Sequence, residues 1–124
     1  MIDQLLVKEL TVRKINHTAE NIIAITKTSD GRIYFLEKGD KTAGLAHILQ
    51  QHGSEFEGKG ILPEQIPALI MTAITKGTVV DTQSSRKRPV YEVTFNGRKR
   101  RLAIEIGNNG FIVSANPKSS KGLE

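Results

Sequence analysis

The chain has no cysteine and no tryptophan, and two tyrosines and four phenylalanines are its only aromatic residues. Without cysteine there is neither a disulfide framework nor a thiolate metal site, which suits a reducing compartment or a module that must unfold to cross a membrane. Few aromatics disfavour a surface that binds single strands mainly by stacking their bases. No run of about 18 apolar residues offers a membrane span, and residues 1–20 mix acids, bases and apolar residues too evenly for a signal peptide. The expectation is a soluble chain with no membrane span. Its 124 residues are enough for one domain with a real core.

Charge is present in excess, and its placement says more than its amount. Between Arg86 and Arg101 stand seven bases (Arg86, Lys87, Arg88, Arg98, Lys99, Arg100, Arg101) and one acid, Glu92. The other residues hold 11 bases against 12 acids, so the whole net charge of +5 comes from this stretch. A concentrated basic patch on a near-neutral body fits a polyanion such as RNA. The plainer reading is a strand whose arginines and lysines keep an exposed sheet edge from pairing with strangers.

Two β-rich runs, 21–27 and 32–37, flank "TSDG", whose Asp30 and Gly31 supply turn chemistry, and read as a hairpin. Before it, Leu5, Leu6, Leu10, Val12 and Ile15 fit neither helical nor strand period, which leaves that segment open. Asp40 can cap a helix over 41–52, with Gly53 as its left-handed stop and Leu45, Ile48 and Leu49 as its apolar stripe. On that helix His52 follows the stripe and His47 points to the polar face, so the two are not a metal pair and no metal or cofactor is expected.

A second helix starts near Ile66 and Pro67 and ends at Gly77, with Ile66, Leu69, Ile70, Ala73 and Ile74 on one buried stripe. Four strands follow at about 78–82, 90–95, 100–106 and 111–116, the last three joined as a meander by "NG" at Asn96 and "NNG" ending at Gly110. Residues 82–89 form a polar loop and 120–124 a mobile tail. Alternation puts Tyr91, Val93, Phe95, Leu102, Ile104, Ile106, Phe111, Val113 and Ala115 against the helices. The second, open face then carries Glu92, Thr94, Arg101, Glu105, Ser114 and Asn116 with Val90, Ala103 and Ile112. The expected fold is α+β: two helices on one face of a four-stranded antiparallel sheet, with an extra N-terminal β-hairpin, in a single domain. Within it, 1–38 is an N-terminal extension and 39–119 the core.

The runs "GLAHILQQHGSEF", "IPALIMTAITKG" and "RPVYEVTFNGRKRRLAIEIGNNGFIVSANPKS" resemble the phage and polymorphic-toxin members of the barnase, EndoU, colicin and RelE-like nuclease superfamily. The resemblance covers about 39–119. It implies a histidine on the first core helix and a small hydroxyl residue on the last strand, landmarks held here by His47, His52 and Ser114. It further implies a bacterial toxin domain of the contact-dependent inhibition or phage-delivered kind: a metal-independent endoribonuclease, often acting on tRNA. Such a domain would act in the cytoplasm of a target cell and be held in check by an acidic immunity protein.

Cleavage of RNA by its own 2′-hydroxyl needs a base, an acid for the leaving 5′-oxygen and stabilisation of the phosphorane charge, and it leaves a 2′,3′-cyclic phosphate. His47 and His52 can move the protons, Arg101 can meet the phosphate bidentately and Ser114 can donate one more bond. Substrate contacts then fall to Lys41, Arg86, Lys87, Arg88, Arg98, Lys99, Arg100, Asn116 and Tyr91. Each residue also has a plainer role: His47 solvated, His52 matching the helix dipole, Tyr91 in the core, Glu92 and Glu105 as cross-strand partners of arginines, His17 structural. Two other functions fit the same composition, a non-catalytic nucleic-acid-binding module and a protein-binding or immunity-type domain.

Overall fold

The computed structural model describes residues 2–83 and 88–119. The segment with no clear period folds as a helix, α1 (Gln4–Val12), because Asp3 caps it and accepts hydrogen bonds from the amides of Leu5 and Leu6 at 3.0 and 3.3 Å. Its buried Val7 and Leu10 pack with Ile22, Ile33 and Phe35 of the hairpin β1 (Ile22–Lys27) and β2 (Ile33–Glu37). The α+β class, the four-stranded antiparallel sheet and the separate N-terminal hairpin are as expected, but among the described residues there are three α-helices rather than two.

The next helix, α2 (Leu45–Gly58), begins and ends later than its sequence signals suggest. Asp40 does not cap it. Its carboxylate instead accepts from the amide and hydroxyl of Thr42, at 2.8 and 2.6 Å, which closes a local turn and holds its pKa below the ordinary carboxylate value. Gly44 takes over as N-cap at φ 87°. A Cβ there would meet the Gly39 Cα at 2.7 Å, so only glycine lets the turn pass this close. Gly53 lies inside the helix and stops nothing. By contrast α3 (Ile66–Lys76) ends at Gly77 and buries Ile66, Leu69, Ile70, Ala73 and Ile74, all five residues of its apolar stripe.

The four-stranded sheet runs β3 (Thr78–Gln83), β4 (Arg88–Phe95), β5 (Arg98–Ile106) and β6 (Ile112–Lys118), neighbours in that order. Asn96 and Gly97, at φ 53° and 75°, form the tight turn between β4 and β5. Alternation assigns the inner face correctly on β4 and β5. On β6 a bulge between the pairs Glu105–Ser114 and Ile106–Ile112 shifts the phase. Ile112, expected outside, therefore joins the main core, while Phe111 packs with α1 and the hairpin instead.

Two cores result. The main one holds Ile48 and Phe56 of α2, the α3 stripe and the inner sheet face, and it also takes Tyr34 and Leu36 from β2. The hairpin thus serves both cores, α1 on one side and the main core on the other. It is tied to the larger sheet where the Phe35 amide donates to the Gly110 carbonyl at 3.0 Å and the Phe35 and Phe111 rings meet edge to face at 5.8 Å. Among the described residues no helix is long and apolar enough to cross a membrane.

Candidate functional site

The chemistry-bearing residues separate into three places. The first is the polar flank of α2. His47 and His52 are both half-buried, and their rings meet edge to face with centroids 6.3 Å apart. The expectation that they point apart is corrected: side chains on a helix lean toward its N-terminus, and His52 reaches back over the intervening turn. His47 Nδ1 lies 3.0 Å from the carbonyl oxygen of Lys41, an atom that can only accept. Nδ1 therefore carries a proton. The same reasoning applies to His52, whose Nδ1 faces the carboxylate of Glu55 in an i, i+3 pair. In the neutral ring each Nε2 is then left as an acceptor, the state a general base requires.

Docking fastens the start of α2 to the edge strand. The Gly44 amide donates to the Val113 carbonyl at 2.9 Å, which fastens the first turn of the helix to the residue preceding Ser114. Ser114 itself leaves β6 on the other face, because its neighbour Ala115 points into the main core with Ile48 of α2. Ser114 and Arg101 thus share the face of the sheet turned away from the main core that Ile48 of α2 joins.

The second place is that outer face. Here Arg101 pairs with Glu92 at 3.1 Å and Arg88 with Glu105 at 2.6 Å, the cross-strand pairing that their types suggest. Asn116 is opposite Ala103, and Ser114 opposite Glu105. Along β6 the face is not open as expected, whereas Thr94 of β4 is exposed on it. Ser114 and Asn116 are 1% and 7% exposed, and Ser114 Oγ and Asn116 Oδ1 have no hydrogen-bond partner among the described residues. Neither is placed to meet a phosphate directly.

The third place is a pocket of about 160 Å³ where the end of α2 meets β5 and β6. Lys59, Arg98, Lys99, Arg100, Arg101 and Lys118 line it together with Phe56, Ile61, Leu69 and Pro117, and no acid is among these residues. Arg100 shapes it. Its Nη1 donates to the Lys59 carbonyl at 2.6 Å and its Nε to the Phe95 carbonyl at 3.1 Å, joining the strand to the helix end. Burial first, and the charge of Arg98 second, hold the Arg100 pKa below its ordinary value.

The remaining sequence candidates scatter. Lys41 contributes its carbonyl to His47. Tyr91 packs against the main core, where burial raises its hydroxyl pKa, with the neighbouring Tyr34 adding to it. Arg86 and Lys87 lie outside the described residues. His17 donates from Nδ1 to the Ile15 carbonyl at 2.7 Å and packs edge to face on Phe35, a structural arrangement. Among the described residues no group of three or more histidine, cysteine or carboxylate side chains is arranged to hold a metal ion. Sequence reasoning missed Lys59, Lys118 and Glu55. Glu55 had a usable signal, its i, i+3 spacing from His52. Comparison of the chain with protein-family models and with curated proteins finds no match.

Proposed function

We propose that the chain is a metal-independent endoribonuclease domain of the toxin kind that its sequence resembles, acting on structured RNA such as tRNA. One observation carries the reading: two imidazoles with their Nδ1 atoms committed to acceptors, and their rings 6.3 Å apart, stand next to each other on one helix flank. One Nε2 takes the proton from the 2′-hydroxyl, while the second ring, protonated, gives one to the departing 5′-oxygen. The product is a 2′,3′-cyclic phosphate. Arg101 changes role in this scheme. Standing with the other cations at the pocket, it serves phosphates flanking the cut rather than the scissile one. Ser114 and Asn116, being buried, support β6 and do not touch RNA.

The reading extends to the cytoplasm of a target cell as the place of action and to an acidic immunity protein as partner. A second reading, a non-catalytic RNA-binding module, is favoured by the separation of the cationic pocket from both histidines. The test is incubation of the purified protein with total tRNA in excess EDTA. Fragments ending in a cyclic phosphate support the nuclease. A mobility shift with intact tRNA supports the binding module, and neither outcome leaves a protein-binding domain.

A further inference from the structure

Most of the cations at the pocket have no partner that would explain them. Arg101 is paired with Glu92 and Arg100 with two backbone carbonyls, but Lys59, Arg98, Lys99 and Lys118 form no ion pair among the described residues. Arg98 even acts against Arg100, since like charges converge there. Such convergence costs stability in the empty protein and is relieved by an anion. The floor is of another kind. Phe56 and Leu69, each 1% exposed, close its bottom, and the half-buried Pro117 is its apolar wall. An apolar floor beneath a cationic rim matches an unpaired nucleobase with its phosphates better than a bare anion or an acidic peptide, neither of which needs an apolar floor.

We propose that this pocket, about 160 Å³ in volume, is a nucleotide-binding subsite that takes one unstacked base of single-stranded RNA against Pro117, over the bottom that Phe56 and Leu69 close, and its flanking phosphates on Arg98, Lys99 and Lys118. The inference deepens the ribonuclease reading by giving its substrate an unpaired nucleotide held apart from the histidines, beyond the cut. It also stands if the chain only binds RNA.

The test uses a fluorescently labelled DNA tetranucleotide, which lacks the 2′-hydroxyl and so is bound without being cut, followed by anisotropy in EDTA with the full chain. The intact oligonucleotide is expected to bind about tenfold or more tightly than an abasic one of equal charge. Arg98→Ala with Lys118→Ala should weaken it by a similar factor, and lysine at position 98 should restore part of the loss. Both side chains lie at the rim, and a thermal melt matching the parent shows that the variant folds. Equal binding of the abasic strand overturns the proposal in favour of plain charge attraction. Tighter binding of a polyglutamate peptide of equal charge overturns it in favour of a protein partner. Failure of tRNA cleavage with the tetranucleotide still bound removes the nuclease reading and leaves the subsite standing, whereas cleavage without base-dependent binding does the reverse.

Discussion

His47 and His52, five residues apart on α2, touch ring to ring at 6.3 Å while each holds its Nδ1 proton against a different oxygen. The pair is thus pre-oriented by two independent anchors, one a backbone carbonyl before the helix and the other a carboxylate one turn further on. If the rings share the proton transfers of RNA cleavage, His47→Ala and His52→Ala should each lower the rate of tRNA cutting by about 100-fold or more. Both residues lie on the helix flank, so thermal stability should change by about 1 kcal/mol or less. Normal cutting by either variant would move the site elsewhere. Glu55→Gln should cost less, because it keeps an acceptor for Nδ1 and removes only the charge.

RNA affinity should fall steeply between 50 and 200 mM salt, with a log–log slope that rises by about 0.7 to 0.9 for each phosphate contact made. Removing Lys99 should flatten that slope by about one contact without changing preference among sequences. A slope that stays the same in Lys99→Ala takes this residue out of the binding surface.

Gly110 carries the tie between the two sheets. At φ 91° it occupies the left-handed region, and a Cβ would stand 2.1 Å from the Ile33 carbonyl oxygen. Gly110→Ala should therefore destabilise the protein by about 2 kcal/mol or more, read from urea unfolding, since strain and backbone displacement act together. A loss no larger than about 0.5 kcal/mol, typical of surface substitutions, would mean that the sheets shift apart freely.

Acid should weaken the turn before α2, and only below the ordinary carboxyl range. The Thr42 hydroxyl and amide, in that order, hold the Asp40 carboxyl below its ordinary value of 3.8. A lowered folded-state pKa contributes stability that is present above the unfolded value and disappears as pH falls through the folded one. The contribution is therefore complete above about pH 5 and fades below about pH 4. Asp40→Asn should flatten the acid limb of the stability curve there. An unchanged limb in a melt series from pH 6 to pH 2 would count against this turn as a contributor.

The sequence carried α3 almost in full, because an uninterrupted 3.6-residue stripe ending in glycine competes with no other signal. It carried the β4–β5 hairpin for a similar reason, Asn96 and Gly97 suiting one turn and little else. The start of α2 was hidden because Asp40 has two local uses, capping and turn formation, and Thr42 decides for the second. The phase of β6 was hidden because a bulge leaves no trace in alternation until the opposite strand is known. For the candidate site the legible part was residue type: two histidines, a basic hairpin, arginine–glutamate pairs. Grouping was not legible. The pocket needs Lys59 from the end of α2 and Lys118 from β6, which only the folded chain brings to Arg98 and Arg100.

Arg100 grips the end of α2 through the main-chain oxygen of residue 59 and not through that residue's side chain. Any amino acid at 59 preserves the clasp except through its own backbone preferences. Natural variants are thus free to retune the charge at the mouth while its walls keep their shape.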